Sequence, residues 1–290
     1  MKASISPTPL GIQINFELRE PAAHLTSMMT GYRYIIGAIL VCFLLLATSC
    51  NEGLREESPA TDTASATTDV NSADQLYAQR ADLTQLRRGI VSLRQAETKD
   101  PGNYDAAWKL SKFDYYLATH TDDSKERDDA FKAGIDAGKT AVQLQNDKPD
   151  GHFWLGANYG GAAEQSAIQG LATVKDIQSE METVLRLDQG YQNGSAYMVL
   201  GLLYLNAPGI AGGDPKKAVE EMEQGLRFGE PNAFLHLHLA EAYKKVGRND
   251  DARRELKKIL SMTPDPNYLP EYKESSAAAQ KLLDQIDHGS

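Results

Sequence analysis

Histidines, cysteines and one glycine-rich loop are the residues from which this chain could build a reactive site, and their spacing removes most of the chemistry. His236 and His238 stand two apart in a helical stretch, so they face different ways and cannot share one metal ion. His120, His152 and His288 are scattered, with no His-Glu-x-x-His and no carboxylates at ligand spacing, so no metal is expected. The run Gly209-Ile210-Ala211-Gly212-Gly213-Asp214-Pro215 looks like a phosphate cradle, but it follows no strand and lacks the Lys-Ser/Thr pair of a P-loop. Asp214 followed by Pro215 reads instead as an N-cap and first-turn proline. Gly212, Gly213 and Asp214 then become candidates for a partner-contact loop, because long connections between repeats often carry function. No Gly-x-Ser-x-Gly elbow occurs. Both cysteines, Cys42 and Cys50, fall in one N-terminal apolar stretch, which leaves the body without a thiolate. Neither an enzyme nor a cofactor is expected. With 30 basic against 40 acidic residues, for a net charge of −10, the chain also lacks the basic stripe that nucleic acid requires.

Cys50 is the residue with chemistry left to do. Tyr34 to Ala47 is uncharged and almost wholly apolar, too short for the roughly 20 residues of a membrane span. It suits a signal-peptide core behind Arg33. The run closes Leu46-Ala47-Thr48-Ser49-Cys50, similar to a bacterial lipobox, with Ala47 where leucine is usual. That likeness implies cleavage before Cys50 and acylation of its sulfur and its new amine; multiple chains give stable anchoring where one gives marginal binding. A plain secretory signal or a short anchor is the alternative. Residues 1–28, long and carrying Glu17 and Glu20, read as an extension upstream of the true start, and 29–50 as the signal peptide. Asn51 after the cysteine leaves both inner and outer membrane open. Residues 51–71, rich in Ser, Thr, Ala, Asp and Glu, are expected to be a flexible tether.

The elements that follow are helical and repeat. From Ser72 onward, apolar residues recur at three- and four-residue spacing. In the last unit Ala240, Tyr243, Gly247, Ala252 and Pro264 fit a 34-residue tetratricopeptide pattern without a gap. Small positions at 77, 111, 156, 201 and 240 mark five units separated by 34, 45, 45 and 39 residues. About five helix hairpins, stacked because none buries its apolar face alone, give an all-α tetratricopeptide-like solenoid over 72–290. A helix near Glu271–Ile286 is expected to cap it.

Three segments carry a resemblance to a known family: Gly151 to Gly160, Met181 to Tyr191, and Ala207 to Asp214 with Ala218. Together they are similar to the T component of tripartite ATP-independent periplasmic (TRAP) transporters, tetratricopeptide-like lipoproteins on the periplasmic side. The resemblance implies a non-enzymatic, lipid-anchored helper in the cell envelope that associates with the transporter's solute-binding subunit. It also implies self-association as a homo-oligomer and a channel or pocket for an apolar ligand. Of functional residues, only Cys50 carries over by motif. A general tetratricopeptide scaffold for envelope assembly is the alternative.

Trp154, Asn158 and Tyr159 in the third unit, with Tyr197 in the fourth, have two readings. They are helix-packing residues at repeat positions, or they line a recess beside the lengthened middle hairpins that takes an apolar ligand with a polar head. If the roughly 11 extra residues are shared between the two helices of a hairpin, each lengthens by about 8 Å.

Overall fold

Among the residues described by the computed structural model, 59–165 and 167–288, eleven α-helices stack as five hairpins and a closing helix. The hairpins are α1 (Pro59–Tyr77) with α2 (Leu83–Lys99), α3 (Tyr104–His120) with α4 (Ser124–Leu144), α5 (Pro149–Ala163) with α6 (Ala167–Leu187), α7 (Ser195–Asn206) with α8 (Pro215–Gly229), and α9 (Ala233–Lys245) with α10 (Asn249–Ser261). The closing helix α11 (Leu269–His288) packs on α9 and α10. The solenoid with a C-terminal helix follows the expectation. The upstream extension, the signal segment and Cys50 lie outside the described residues.

Local chemistry starts and stops the helices where they must. The side chains of Asp82, Asn103, Asp123, Asp214 and Asn232 each accept a backbone N–H of the turn they open, satisfying donors a helix start leaves orphaned. Gly247 ends α9 at φ +80°, and Arg248 N donates to Tyr243 O at 2.8 Å, a Schellman stop that needs a residue without Cβ.

The tether expectation is corrected over residues 59–71, which form most of α1. Composition misleads there because tertiary contact supplies what propensity does not. Ala66, Val70 and Ala73 bury one face, Ser92 Oγ donates to Asp69 O at 3.0 Å, and Lys99 Nζ reaches Asp69 Oδ2 at 2.6 Å. The first repeat position moves with it. Tyr77 ends α1, whereas the fully buried Ala66 is its eighth residue, as Ser111, Gly156 and Ala240 are of α3, α5 and α9. The first unit is therefore as long as the next two.

The extra length of the middle units is not shared evenly. The second helices α4 and α6 run 21 residues against 13 for α10, about 12 Å more. Glycines let these helices close on their partners. A Cβ on Gly156 would sit 2.5 Å from Met181, and one on Gly161 would collide with the Phe131 ring.

Two hairpins share a polar clip. His152 and His236 are the fourth residues of α5 and α9. His152 Nδ1 meets Glu180 Oε2 at 2.6 Å and Nε2 meets Asn146 O at 3.0 Å; His236 meets Glu255 Oε2 at 2.6 Å and Glu230 O at 2.9 Å. Each ring ties its helix to the following helix and to the preceding loop. The Glu180 hydrogen bond holds the His152 pKa above 6.5, against the opposing effect of burial. A folded-state value raised above the unfolded one gives stability that is complete below the unfolded pKa and lost as pH rises through the folded one. The stability gap between wild type and His152→Phe is therefore larger at about pH 6 than at about pH 8.5 in urea titrations. An equal gap at both would remove the charge from this clip.

Candidate functional site

The superhelix curls far enough for its end to meet its beginning. Arg80, in the turn after α1, donates from Nε to Glu271 Oε1 at 2.7 Å and from Nη2 to Glu271 Oε2 and Asn267 O, both at 2.6 Å. Both side chains of the pair are buried. One turn further along α11, Glu274 Oε1 lies 3.4 Å from His120 Nε2, at the end of α3. The closing helix is thus a strap from the last hairpin to the first two, and the faces of α3, α5, α7 and α9 lie along the curve it spans.

Beside this closure stands Lys112 of α3. Its ammonium lies 4.1 Å from the centre of the Tyr77 ring and 5.8 Å from that of Trp154, and no acceptor binds it among the described residues. Burial brings its pKa down to about 8, repulsion from Arg80 adds to that, and Glu271 and Asp74 oppose it. The neighbouring charges are already spent: Arg80 on Glu271, and Lys109 on Asp74 at 2.6 Å. Arg80 also stacks over Tyr77, 4.7 Å from the ring centre.

Trp154 is 4% exposed. Its ring lies 5.8 Å from Tyr115 and edge-on to Phe153 at 5.1 Å, and its Nε1 is buried without a partner. Asn158, one turn on, is fully buried; its Nδ2 donates to Trp154 O, Ser111 O and Ser111 Oγ at 2.8, 2.9 and 3.1 Å. This amide pins α5 to α3. Tyr159 is half-buried and faces elsewhere, into a groove of about 640 Å³ shared with Phe131, Ile135 and Lys139. Tyr197 stacks on Phe228 with ring centres 6.0 Å apart, in the fourth hairpin. The structure therefore brings Trp154 and Asn158 together and sets Tyr159 and Tyr197 apart from them.

Gly212, Gly213 and Asp214 form a folded-back connection. Gly212 takes φ +93°, and a Cβ on Gly213 would collide with Ala207 O. Asp214 N donates to Tyr204 O at 2.8 Å while its side chain caps α8 through Lys216 N and Lys217 N. Ile210 at the loop's tip is 94% exposed.

A separate cavity of about 260 Å³ lies where α11 meets the starts of α7 and α9, walled by Asn193, Ser195, Asn232, Phe234, Tyr268 and Glu271. Composition had not singled out this cavity, Arg80 or Lys112. Each depends on contacts between segments 35 or more residues apart, for which one sequence holds no local signal.

Acid–base chemistry finds little to use. Burial pushes the Asp114 carboxyl up to about 7 while Arg94, 3.9 Å away, pulls it down. The Glu97 carboxylate adds a smaller upward push. His236 and His238 turn to different carboxylates, Glu255 and Glu241, as their spacing requires. Among the described residues no group of three His, Cys, Asp or Glu could hold a metal ion, and no helix is long and apolar enough to cross a membrane.

Comparison with known proteins places these features in a family context. The model of the family described as "TRAP transporter T-component" matches residues 114–285, more than half of the chain. A thermophilic TPR protein of Thermus thermophilus superposes with a TM-score of 0.57 at 20% identity, over 74% of this chain and 99% of that one. PilF of Pseudomonas aeruginosa superposes with a TM-score of 0.49 at 17% identity, over 78% and 95%. At that identity the Thermus protein speaks for the tetratricopeptide fold alone. No curated protein matches by sequence.

Proposed function

This chain belongs to the TRAP transporter T-component family, and on that premise we propose that it is a lipid-anchored helper of a TRAP-type solute transporter on the periplasmic side of the envelope. In this reading Cys50 carries the anchor and the folded body associates with the transporter's solute-binding subunit. The repeat surface does the work of binding, and the protein also takes an apolar ligand. The observation that carries the reading is the family match, which runs from residue 114, within α3, to residue 285, within α11. A general envelope scaffold would share the repeat fold but has no reason to match this family.

One experiment tests both parts. The full chain and a Cys50→Ala variant are expressed with a TRAP solute-binding subunit from the same organism, the cells are fractionated, and the subunit is sought in pull-downs. Membrane retention of the wild type, release of the variant and capture of the subunit by both are the expected results. Capture by neither would reject the transporter role, and tight retention of the variant would reject lipidation.

A further inference from the structure

Away from the closure, one carboxyl is buried without a hydrogen bond. The Asp114 side chain, on α3, is 3% exposed, and no donor bonds to it among the described residues. Its cation neighbour, Arg94 Nη2, stays 3.9 Å from Oδ1, beyond hydrogen-bond range, on a side chain that is more than half exposed. A buried carboxylate needs a counter-charge and donors for its lone pairs. Asp114 has a distant share of the first and none of the second. Burial therefore pushes this carboxyl up to about 7 against the pull of Arg94.

Asp114 lines a cavity of about 400 Å³ between α2 and the start of α4, where Ile90, Leu117 and Ala130 supply apolar wall. The other charges around this space are spent. Arg87 donates to both oxygens of Glu126, at 2.6 and 2.8 Å, and Lys125 is paired with Asp129. Asp123 caps α4 through Lys125 N and Glu126 N.

We propose that this cavity binds a primary alkylammonium, with Asp114 accepting hydrogen bonds from the ammonium and the apolar walls holding the alkyl chain. The unbonded carboxylate calls for a cation, its empty lone pairs call for a cation with N–H donors, and the aliphatic walls call for a hydrocarbon stem. Hydrogen bonds between two charged groups are roughly twice as strong as neutral ones. An anion would be repelled by Asp114, and a quaternary ammonium would bring charge without a donor. Arg94 is exposed enough to move aside as the ligand enters. The site goes beyond the transporter role and does not depend on it.

Calorimetric titration of the full chain with butylammonium, 1-butanol and tetramethylammonium separates these demands. At pH 8 butylammonium is expected to bind at least about tenfold more tightly than the alcohol, which lacks the charge, or tetramethylammonium, which lacks the donors. Binding requires the ionised carboxyl, so the affinity is expected to be about tenfold weaker at pH 6, the ratio of ionised fractions for a group titrating near 7. Near pH 7 the bound ammonium drives a proton from Asp114 to the buffer, so the heat should vary with the buffer's ionisation enthalpy. Asp114→Asn keeps the shape and discards the buried charge. It is expected to melt no lower than the parent at pH 8 and to lose both the preference for butylammonium and the pH dependence. Equal binding of amine and alcohol would overturn the proposal and leave an apolar groove. Equal binding of tetramethylammonium would overturn the hydrogen-bonded ammonium. Butylammonium binding that ignores pH and Asp114→Asn would move the cation to the acids at the rim, and binding of none of the three would remove the site.

Discussion

Arg80→Met lowers the unfolding free energy by about 3–5 kcal/mol, the cost of leaving a buried carboxylate without its partner. Glu271 has 11% of its side chain exposed and Arg80 has 4%, so water from the neighbouring cavity replaces the lost guanidinium only in part. Arg80 also serves the Tyr77 and Asn267 carbonyls, at 3.3 and 2.6 Å, which adds orphaned acceptors to the orphaned charge. The double variant Arg80→Met/Glu271→Leu is expected to recover most of the loss, because a buried ion pair is costly to break but not to replace by apolar groups. The location makes the effect more than local. A solenoid is held by contacts between neighbours along the stack, and this pair instead links the first hairpin to the last helix, 191 residues apart. Hydrogen exchange in the single variant should therefore quicken in α1 and α11 before it quickens in α5 and α6. Uniform quickening, or a loss below about 1 kcal/mol, would show that the closure carries no strain of the fold.

The periodic parts of this structure were legible because each hairpin repeats a local rule. Ala240, Tyr243 and Gly247 sit in one helix and its stop, and the spacing that identified them is the spacing that packs them. Asp214 was readable as a cap for the same reason: cap and helix are adjacent in sequence. Failures cluster where the deciding partner is distant. Residues 59–71 are poor in large apolar groups, and what folds them is α2 lying across Ala66 and Val70. Lys112 reads as an ordinary helix lysine until Tyr77 and Trp154 arrive on either side. Tyr159 and Tyr197 illustrate the converse. Aromatic residues in neighbouring repeats look like one wall, yet α4 and α8 each take one for a neighbour, Tyr159 through the Phe131 groove and Tyr197 through Phe228.

Trp154→Ala costs about 3–5 kcal/mol, the range for emptying a large aromatic from a core. The ring is 4% exposed and touches Tyr115 and Phe153, so its removal opens space that neighbouring rings fill only in part. Its backbone carbonyl receives Asn158 Nδ2 at 2.8 Å, and Asn158 binds Ser111 in turn, so any shift of the α5 backbone at Trp154 is passed to α3. Trp154→Phe is the discriminating companion. It keeps an aromatic group against Tyr115, forfeits part of the volume, and removes the buried N–H that has no acceptor. Relief of that donor offsets part of the packing loss, and the net change should stay below about 1.5 kcal/mol. Urea unfolding of the two variants measures both quantities under one set of conditions. A Trp154→Ala loss below about 1 kcal/mol would mean that the ring borders open space and does not hold the core. A large loss in Trp154→Ala with near-native stability in Trp154→Phe shows that the ring surface, packed on Tyr115 and Phe153, carries the stability and that the indole nitrogen adds nothing to it.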